Sequence, residues 1–223
     1  MGCPLLKIDI MKKVFLFSLC ISACLLARAQ EVFRLVDLGL SVRWADRNVG
    51  AAEPEDNGDY YAWGEMQPKE EYTWLTYKYS DGTDRQMNKY CCTYDYGVID
   101  SREELERRDD VAYQQWGDMC RIPTRDQWIE LRNRCHWTWE EIGDSIYGFR
   151  VTANNGNSIF LPAAGYKEYK EVYEDTYYGF YWSIDLYKPY PNEAISFTFV
   201  ENQALPTHSY RGVGLSIRPV AAP

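Results

Sequence analysis

Apolar and polar residues alternate in several segments of the chain, with the period of a β-strand that buries one face. From Val36 to Trp44 every second residue is apolar, and polar residues or glycine lie between them. The same alternation runs over 195–199 and 213–217. We therefore predict half-buried antiparallel strands over these three segments.

A β-hairpin is predicted where two largely apolar runs, 149–153 and 158–161, flank the sequence Asn-Asn-Gly-Asn. Asn-Gly accepts the positive φ that tight hairpin turns require, so the two runs are expected to pair with each other.

A helix is predicted to begin after Thr124, because Thr124 and Gln127 have the spacing of a capping box. Trp128, Leu131 and Cys135 follow at helical spacing on one face. That face is expected to pack on the sheet.

A second helix is predicted over 101–115, which is acidic at its beginning. The preceding stretch, 64–100, is rich in Tyr, Lys, Asp and Gly, and is predicted to be loop. Together these elements predict an α+β fold, with one or two helices against a mainly antiparallel sheet and long loops.

The segment 177–190 carries seven aromatic residues, which suit either a core strand or a stacking platform. Strand alternation places Trp182 on the core face, a role that we favour over a sugar platform because large aromatics dominate core area. Four tyrosines on the opposite face and in the following loop are the candidate ligand contacts: Tyr177, Tyr181, Tyr187 and Tyr190. The residues expected to be buried are Trp44, Trp128, Trp182, Phe197 and Leu215.

The start of the chain has the pattern of an export signal. Residues 11–13 are a short basic region, 14–23 are an apolar run too short to span a membrane, and 27–29 are a small-x-small cleavage site. Residues 1–29 are therefore predicted to be a signal peptide with an upstream extension.

Cleavage would leave a soluble product that begins at Gln30, with one domain over 30–223, in the periplasm or at the cell surface. The alternative is a lipoprotein, because Ile-Ser-Ala-Cys ending at Cys24 resembles a lipobox. Only acylation of Cys24 would place the protein on a membrane.

The formal charge of −9 makes nucleic acid an unexpected partner. Cleavage before Gln30 removes four basic residues and one acidic residue, so the mature charge becomes −12. Such a surface repels phosphate backbones, and no basic stripe offers an exception. Apolar residues at 46% are ample for one packed core.

The cysteines that remain after cleavage are Cys91, Cys92, Cys120 and Cys135. A direct bond between adjacent cysteines is strained, so one of them, with Cys91 as the candidate, is expected to pair with Cys135.

No metal site is predicted as the main interpretation, because there is no Cys-x-x-Cys and the two histidines, His136 and His208, stand apart. Calcium is the weak alternative, since one loop concentrates hard oxygen ligands. Its candidate ligands are Glu53, Glu55, Asp56 and Asp59.

Six segments in order resemble one known family. They are "VDLGLSVRWADRNVG", "PEDNGDYYAWGE", "WGDMCRIPTRDQWIELRNRCHWTW", "NGNSIFLPAAGY", "GFYWSIDLY" and "RGVGLSIRPV". They are similar to the Fibrobacter succinogenes major paralogous domain, found in exported Bacteroidetes proteins. That family is similar to the formylglycine-generating-enzyme branch of the C-type lectin-like fold, which implies a compact domain with a loop-rich binding face.

Three functional hypotheses follow. The leading hypothesis is a non-enzymatic binding module for a glycan or an envelope protein. The alternative is a structural or assembly protein that uses an aromatic interface. The least supported is an oxidase, because the sulfatase-modifying relatives use a copper-binding cysteine pair and no cysteine pair here matches theirs by position.

Overall fold

The computed structural model describes residues 33–143 and 145–222. The predicted signal peptide, the Gln30 cleavage site and the Cys24 alternative lie outside these residues. The described part is α+β, with mostly antiparallel strands in several small sheets, one longer helix and short turns.

The strands are β1 Leu35–Val36, β2 Arg43–Ala45, β3 Cys120–Arg121, β4 His136–Ile142, β5 Ile146–Thr152, β6 Ser158–Pro162, β7 Tyr166–Glu168, β8 Glu171–Tyr173, β9 Gly179–Leu186, β10 Glu193–Val200, β11 Gln203–Tyr210 and β12 Val220–Ala221. The helices are α1 Val111–Trp116 and α2 Arg125–Arg134, with 3-10 turns at Tyr94–Tyr96 and Arg107–Asp109. The sheet orders are β1-β2-β12-β3, β11-β10-β9, β4-β5-β6 and β7-β8.

The capping box predicted at the start of α2 is confirmed. The Gln127 backbone N–H donates to Thr124 Oγ1 at 3.2 Å, and the Thr124 N–H donates to Gln127 Oε1 at 2.9 Å. Trp128 and Leu131 are buried, as their spacing predicts, and Cys135 caps the carboxyl end.

The predicted hairpin is confirmed as β5 and β6, which pair antiparallel from Thr152–Ser158 to Gly148–Pro162. In the connecting turn the Ala153 N–H donates to the Asn157 carbonyl at 2.9 Å. Gly156 has φ +85°, a left-handed conformation that glycine adopts without steric penalty.

The single strand predicted over 36–44 is wrong, because the chain turns back within it. The Gly39 N–H donates to Asp37 Oδ1 at 2.7 Å, and Gly39 has φ +66°. Two short strands, β1 and β2, result, with Leu35 opposite Ala45. The alternation still predicts burial, since Leu38 and Val42 face the core.

The strand predicted over 213–217 is also wrong. Its residues make isolated bridges to three different segments: Gly214 to Lys167, Leu215 to Tyr61 and Ser216 to Tyr181. A segment shared among three partners cannot form one continuous ladder.

The helix predicted over 101–115 is reduced to a 3-10 turn and α1. Asp110 has extended φ and ψ, and its Oδ1 accepts from the N–H groups of Ala112 and Tyr113. Such an N-cap begins a new helix and excludes one that runs through from residue 101.

Two hydrophobic clusters form the core, and β9 lies between them. The first cluster includes Trp63, Tyr90 and Trp182, and the second includes Trp44, Trp128 and Phe197. The five residues expected to be buried are all at most 1% exposed: Trp44, Trp128, Trp182, Phe197 and Leu215.

The outward orientation predicted for Tyr181 is wrong, because both faces of β9 are covered. Tyr181 is 0% exposed and packs in the second cluster, while its neighbour Trp182 packs in the first. The Tyr181 hydroxyl donates to the Pro162 carbonyl at 2.8 Å. Strand alternation separates two faces, but it does not show that one of them meets water.

The predicted disulfide is also wrong. Cys91 is buried in the first cluster, whereas Cys135 packs against the second, and Cys91, Cys92, Cys120 and Cys135 are all free thiols. Because the two cysteines belong to different clusters, no bond joins them.

Candidate functional site: an aromatic cleft

Three segments that are distant in sequence meet at the surface and line a small open cleft of about 70 Å³. We call it the aromatic cleft. Its lining residues are Tyr72, Thr73, Trp74, Glu168, Tyr169, Tyr210, Gly212 and Val213.

Trp74 forms one wall of the aromatic cleft and is held by a hydrogen-bonded turn. The Thr73 N–H donates to Thr76 Oγ1 at 3.1 Å, and the Thr76 hydroxyl donates to the Glu71 carbonyl at 2.8 Å. A Cβ on Gly212 would lie 3.5 Å from the indole, so the Trp74 ring packs directly over that backbone. The wall is therefore rigid before any ligand arrives.

Tyr210 forms a second wall at a steep angle to the first. Its ring centroid is 5.9 Å from that of Trp74, with 77° between the planes. This edge-to-face arrangement is favourable for aromatic pairs. Tyr210 remains half exposed, so part of its ring is available to a ligand.

Buried Arg211 fixes the segment that carries Tyr210 and Gly212. Its Nη1 donates to the carbonyls of Pro191 at 2.7 Å and Tyr90 at 3.0 Å, and its Nε donates to the Tyr77 hydroxyl at 2.9 Å. Such a fork of donors holds the backbone on both sides of Arg211 in one position.

Tyr169 forms the third wall and adopts an unusual backbone conformation. It is the first residue of the two-residue turn between β7 and β8 and has φ +51°. Its N–H and carbonyl both pair with the backbone of Tyr72, at 2.9 and 2.8 Å. A left-handed conformation costs a non-glycine residue about 1–2 kcal/mol, and such residues concentrate at functional sites.

The aromatic cleft carries one unpaired carboxylate. Among the described residues, no hydrogen bond or ion pair engages the half-buried side chain of Glu168. Neighbouring Lys170 pairs instead with Glu70 at 3.4 Å. Burial raises the pKa of Tyr72 to about 12, so its phenol stays neutral.

Flat aromatic surface, the hydroxyls of Thr73 and the three lining tyrosines, and one carboxylate are groups that bind ligands by stacking and hydrogen bonding. The aromatic cleft can therefore capture a small group without covalent chemistry.

The tyrosines predicted as ligand contacts do not line the aromatic cleft. Tyr177 is 68% exposed and Tyr190 is 49% exposed, so both are accessible. Tyr187 is half-buried, with its ring stacked 4.1 Å from that of His208. Buried Tyr181 meets no solvent.

The weak calcium candidates are not brought together as a ligand set. Asp56 Oδ2 accepts from the backbone N–H groups of Ala52 and Glu53, which closes a local turn. Across 33–143 and 145–222, no three His, Cys, Asp or Glu side chains are placed to hold one metal ion. Glu55 and Asp59 belong to this same loop.

A second cleft of about 380 Å³ lies beside α1. Its residues are Glu104, Leu105, Arg107, Asp110, Tyr113, Asp118, Met119, Cys120, Arg121, Thr124 and Ile184. Its most buried carboxylate, Asp110, already accepts three backbone N–H groups, from Ala112, Tyr113 and Ile122. Burial raises the pKa of Cys120 to about 11 and leaves the thiol unreactive. This cleft is built mainly by structural contacts.

The residues of the aromatic cleft were missed by sequence reasoning. Trp74 lies in the stretch interpreted as loop, and Tyr169 occupies a turn that has no Gly or Asn to mark it. A Tyr at this turn would indicate a cleft residue only to a reader who already knew that the short strands β7 and β8 flank it.

Comparison with known proteins adds one similarity. A family model described as a domain of unknown function (DUF8237) matches residues 130–220, a range that includes Glu168, Tyr169 and Tyr210 but not Trp74. Searches of curated proteins and of solved structures gave no match. In the part of the chain that the structure describes, no helix is both long and apolar enough to span a membrane.

Proposed function

We propose that this chain is an exported, non-enzymatic binding module that captures a glycan or an envelope protein through the aromatic cleft. The observation that carries the proposal is the convergence of Trp74, Tyr169 and Tyr210 around one unpaired carboxylate, Glu168. These residues come from three separate segments: Trp74 packs against the first cluster, whereas Tyr169 and Tyr210 are exposed.

Rigidity supports a binding role. Hydrogen bonds hold the backbone at all three walls: those of the Thr73–Thr76 turn at Trp74, the pairing with Tyr72 at Tyr169, and the bonds of neighbouring Arg211 at Tyr210. These bonds fix the backbone that carries the three rings, and the Trp74 ring also packs on Gly212, so less ordering remains to occur when a ligand docks. Strain at Tyr169 supports the same role, because a glycine would fit that turn more easily.

The six sequence motifs support a relationship to the Fibrobacter succinogenes major paralogous domain, and with it a C-type lectin-like arrangement. In such an arrangement loops around a β scaffold hold the ligand, and in the aromatic cleft loop and turn residues such as Trp74 and Tyr169 meet the last residues of β7 and β11, Glu168 and Tyr210. The signal-like start, residues 1–29, supports export.

The test is a glycan array combined with pull-down from the native cell envelope. The double variant Trp74→Ala/Tyr210→Ala should lose capture of whatever ligand the unmodified protein retains. Two matched controls remove exposed tyrosines outside the cleft: Tyr177→Ala and Tyr190→Ala. Unchanged capture by the cleft variant, or equal loss in a control, would refute the site.

A second candidate, an envelope assembly protein, is favoured by a separate aromatic row. The ring centroids of Tyr173 and Tyr166 are 5.5 Å apart, those of Tyr166 and Phe180 are 5.4 Å apart, and those of Phe180 and Tyr178 are 5.7 Å apart. This row is partly exposed, as an interface would require. Chemical cross-linking in the envelope tests this candidate. If the row is an interface, Tyr173→Ser should reduce the yield of the cross-linked complex.

A further inference from the structure

We propose that strand β4 pairs edge to edge with β4 of a second copy of this chain, antiparallel and centred on Thr138. The inference goes beyond the proposed function, since no residue of β4 lines the aromatic cleft. It rests on three features of the sheet β4-β5-β6: the backbone groups that β4 directs outward, the protection of the opposite edge, and the order of side chains along β4.

The hydrogen bonds of the sheet identify the residues of β4 whose backbone groups point outward. The Ala163 N–H donates to the Tyr147 carbonyl at 2.7 Å, and Ala153 bonds in the same direction, so the odd-numbered residues of β5 bond towards β6. Alternate residues of an antiparallel strand bond to opposite sides. The even-numbered residues of β5 therefore bond to the even-numbered residues of β4 opposite them. The residues left with outward N–H and C=O groups are Trp137, Trp139 and Glu141.

This outward edge of β4 is open and regular. Among the described residues, backbone hydrogen bonds join β4 only to β5. Its register with β5 has no bulge, and the strand contains neither proline nor lysine, which are common devices against edge pairing. Edge strand β11 has such a device, because Pro206 at its middle has no N–H to donate. An open edge of seven residues is a template for another strand.

The opposite edge of the same sheet is closed by buried side chains. Arg218 Nη2 donates to the Phe160 carbonyl at 2.7 Å, and the Tyr181 hydroxyl donates to the Pro162 carbonyl at 2.8 Å. Both carbonyls lie on the outer edge of β6, which is therefore occupied. Pairing through β4 joins the three strands of each copy into one sheet of six strands. Such a pair closes about a two-fold axis and does not grow into a fibre.

The order of side chains along β4 selects the register. When Thr138 lies opposite its own copy, Trp137 faces Trp139 of the second copy and His136 faces Glu140 of the second copy. The outward backbone groups of the two tryptophans are then opposed, as hydrogen bonding requires. Aromatic pairs and opposite-charge pairs directly across two strands are favourable. A register centred on Trp139 loses the His136–Glu140 pair.

Glu140 keeps an oxygen available for this contact. Arg150 Nε donates to Glu140 Oε2 at 2.8 Å, while no described residue donates to Oε1. A carboxylate accepts several hydrogen bonds, so Oε1 can accept one from His136 of the second copy. A register centred on Glu140 would instead set two carboxylates face to face, which opposes pairing. Charge and backbone geometry thus favour the same register.

The test is the oligomeric state of the purified protein, measured by analytical ultracentrifugation over a range of concentrations. The parent should form a dimer that dissociates on dilution. Thr138→Glu should weaken the dimer by about tenfold or more, because two carboxylates would face each other at the two-fold axis. The variant should still fold, since Arg150 lies opposite Thr138 within the chain. Gln203→Glu is the matched control, because Gln203 is exposed on edge strand β11, and it should dissociate like the parent.

Thr138→Cys tests the register. Directly opposed residues of a non-hydrogen-bonded pair have Cα atoms about 4.5 Å apart, which a disulfide can span. Mild oxidation should therefore yield a covalent dimer of Thr138→Cys, whereas Gln203→Cys should not exceed the background of the parent cysteines. Equal yields from the two variants would contradict the register.

His136→Lys and His136→Glu test the charge pair in opposite directions. The lysine variant should tighten the dimer and the glutamate variant should weaken it, each by about threefold or more. A parent that stays monomeric at every concentration, or a dimer unaffected by Thr138→Glu, would overturn the inference. Either result leaves the proposed function standing, because capture through the aromatic cleft is measured separately.

Discussion

The indole Nε1 of Trp182 donates to the backbone carbonyl of Tyr61 at 2.7 Å, and so joins β9 to a segment 121 residues away in sequence. Tyr61 also bridges to Leu215, which lies in the same buried cluster. One side-chain hydrogen bond and one backbone bridge thus join three distant parts of the first cluster.

Truncation of this side chain should destabilise the protein strongly. We expect Trp182→Ala to lower the free energy of unfolding by about 3–5 kcal/mol, because it leaves a large cavity and an unpaired Tyr61 carbonyl. Chemical denaturation monitored by far-ultraviolet circular dichroism measures the loss. Leu75→Ala, at a side chain 85% exposed, is the control and should stay within about 0.5 kcal/mol of the parent. A loss below about 1 kcal/mol for Trp182→Ala would mean that this ring is not a core anchor.

A methyl group at Gly179 should be poorly tolerated. A Cβ there would lie 2.1 Å from the Phe199 ring, its cross-strand partner, so one of the two must move. Gly179→Ala is expected to cost about 1–3 kcal/mol of stability. The double variant Gly179→Ala/Phe199→Leu should recover part of that loss, and a thermodynamic cycle measures the coupling. Strictly additive effects would show that the two residues do not collide.

Replacement of Tyr169 should separate stability from binding. Tyr169→Gly is expected to stabilise the fold, or leave it unchanged, because glycine adopts φ +51° without the penalty of about 1–2 kcal/mol. The same change removes a wall of the aromatic cleft and should weaken ligand capture. Thermal melting and the capture assay measure the two effects.

Ser101→Gly is the control for the backbone effect, since Ser101 has φ +54°, is exposed and lies outside the cleft. It should raise stability in the same way without changing capture. A Tyr169→Gly protein that still binds fully would remove Tyr169 from the site.

Acid should remove stability that depends on Glu106. Hydrogen bonds from Lys89 and Arg108 lower the pKa of Glu106 from 4.5 to about 2. The folded-state pKa is below the unfolded value, so this contribution is present above about pH 4.5 and is lost as the pH falls toward about 2. Over this range the melting temperature of Glu106→Gln should fall less than that of the parent.

Glu201→Gln is the control for removing one acidic charge, because Glu201 is exposed in the turn between β10 and β11. Its melting temperature should follow the acid dependence of the parent. Parallel curves for Glu106→Gln and the parent would exclude the Glu106 ion pairs as the source of acid sensitivity.

Elements with local signals were predictable from the sequence. The capping box of α2 and the Asn-Gly turn between β5 and β6 depend on residues within a few positions of one another, so neighbouring residues suffice to specify them. Burial of Trp44, Trp128 and Phe197 was also predictable, because large apolar side chains are driven from water wherever the chain passes.

Long-range packing fixes which strand faces meet solvent and which distant residues contact each other. Strand alternation placed the side chains of Tyr181 and Trp182 on opposite faces of β9. The second cluster, built partly from α2, covers the face that carries Tyr181. Trp74, Tyr169 and Tyr210 lie in segments whose separation in the chain holds no information about their contact. The local elements and the apolar residues of the core could therefore be predicted from neighbouring residues in the chain. The aromatic cleft depended on long-range packing, because the bridge between Tyr72 and Tyr169 and the buried Arg211 bring its walls together.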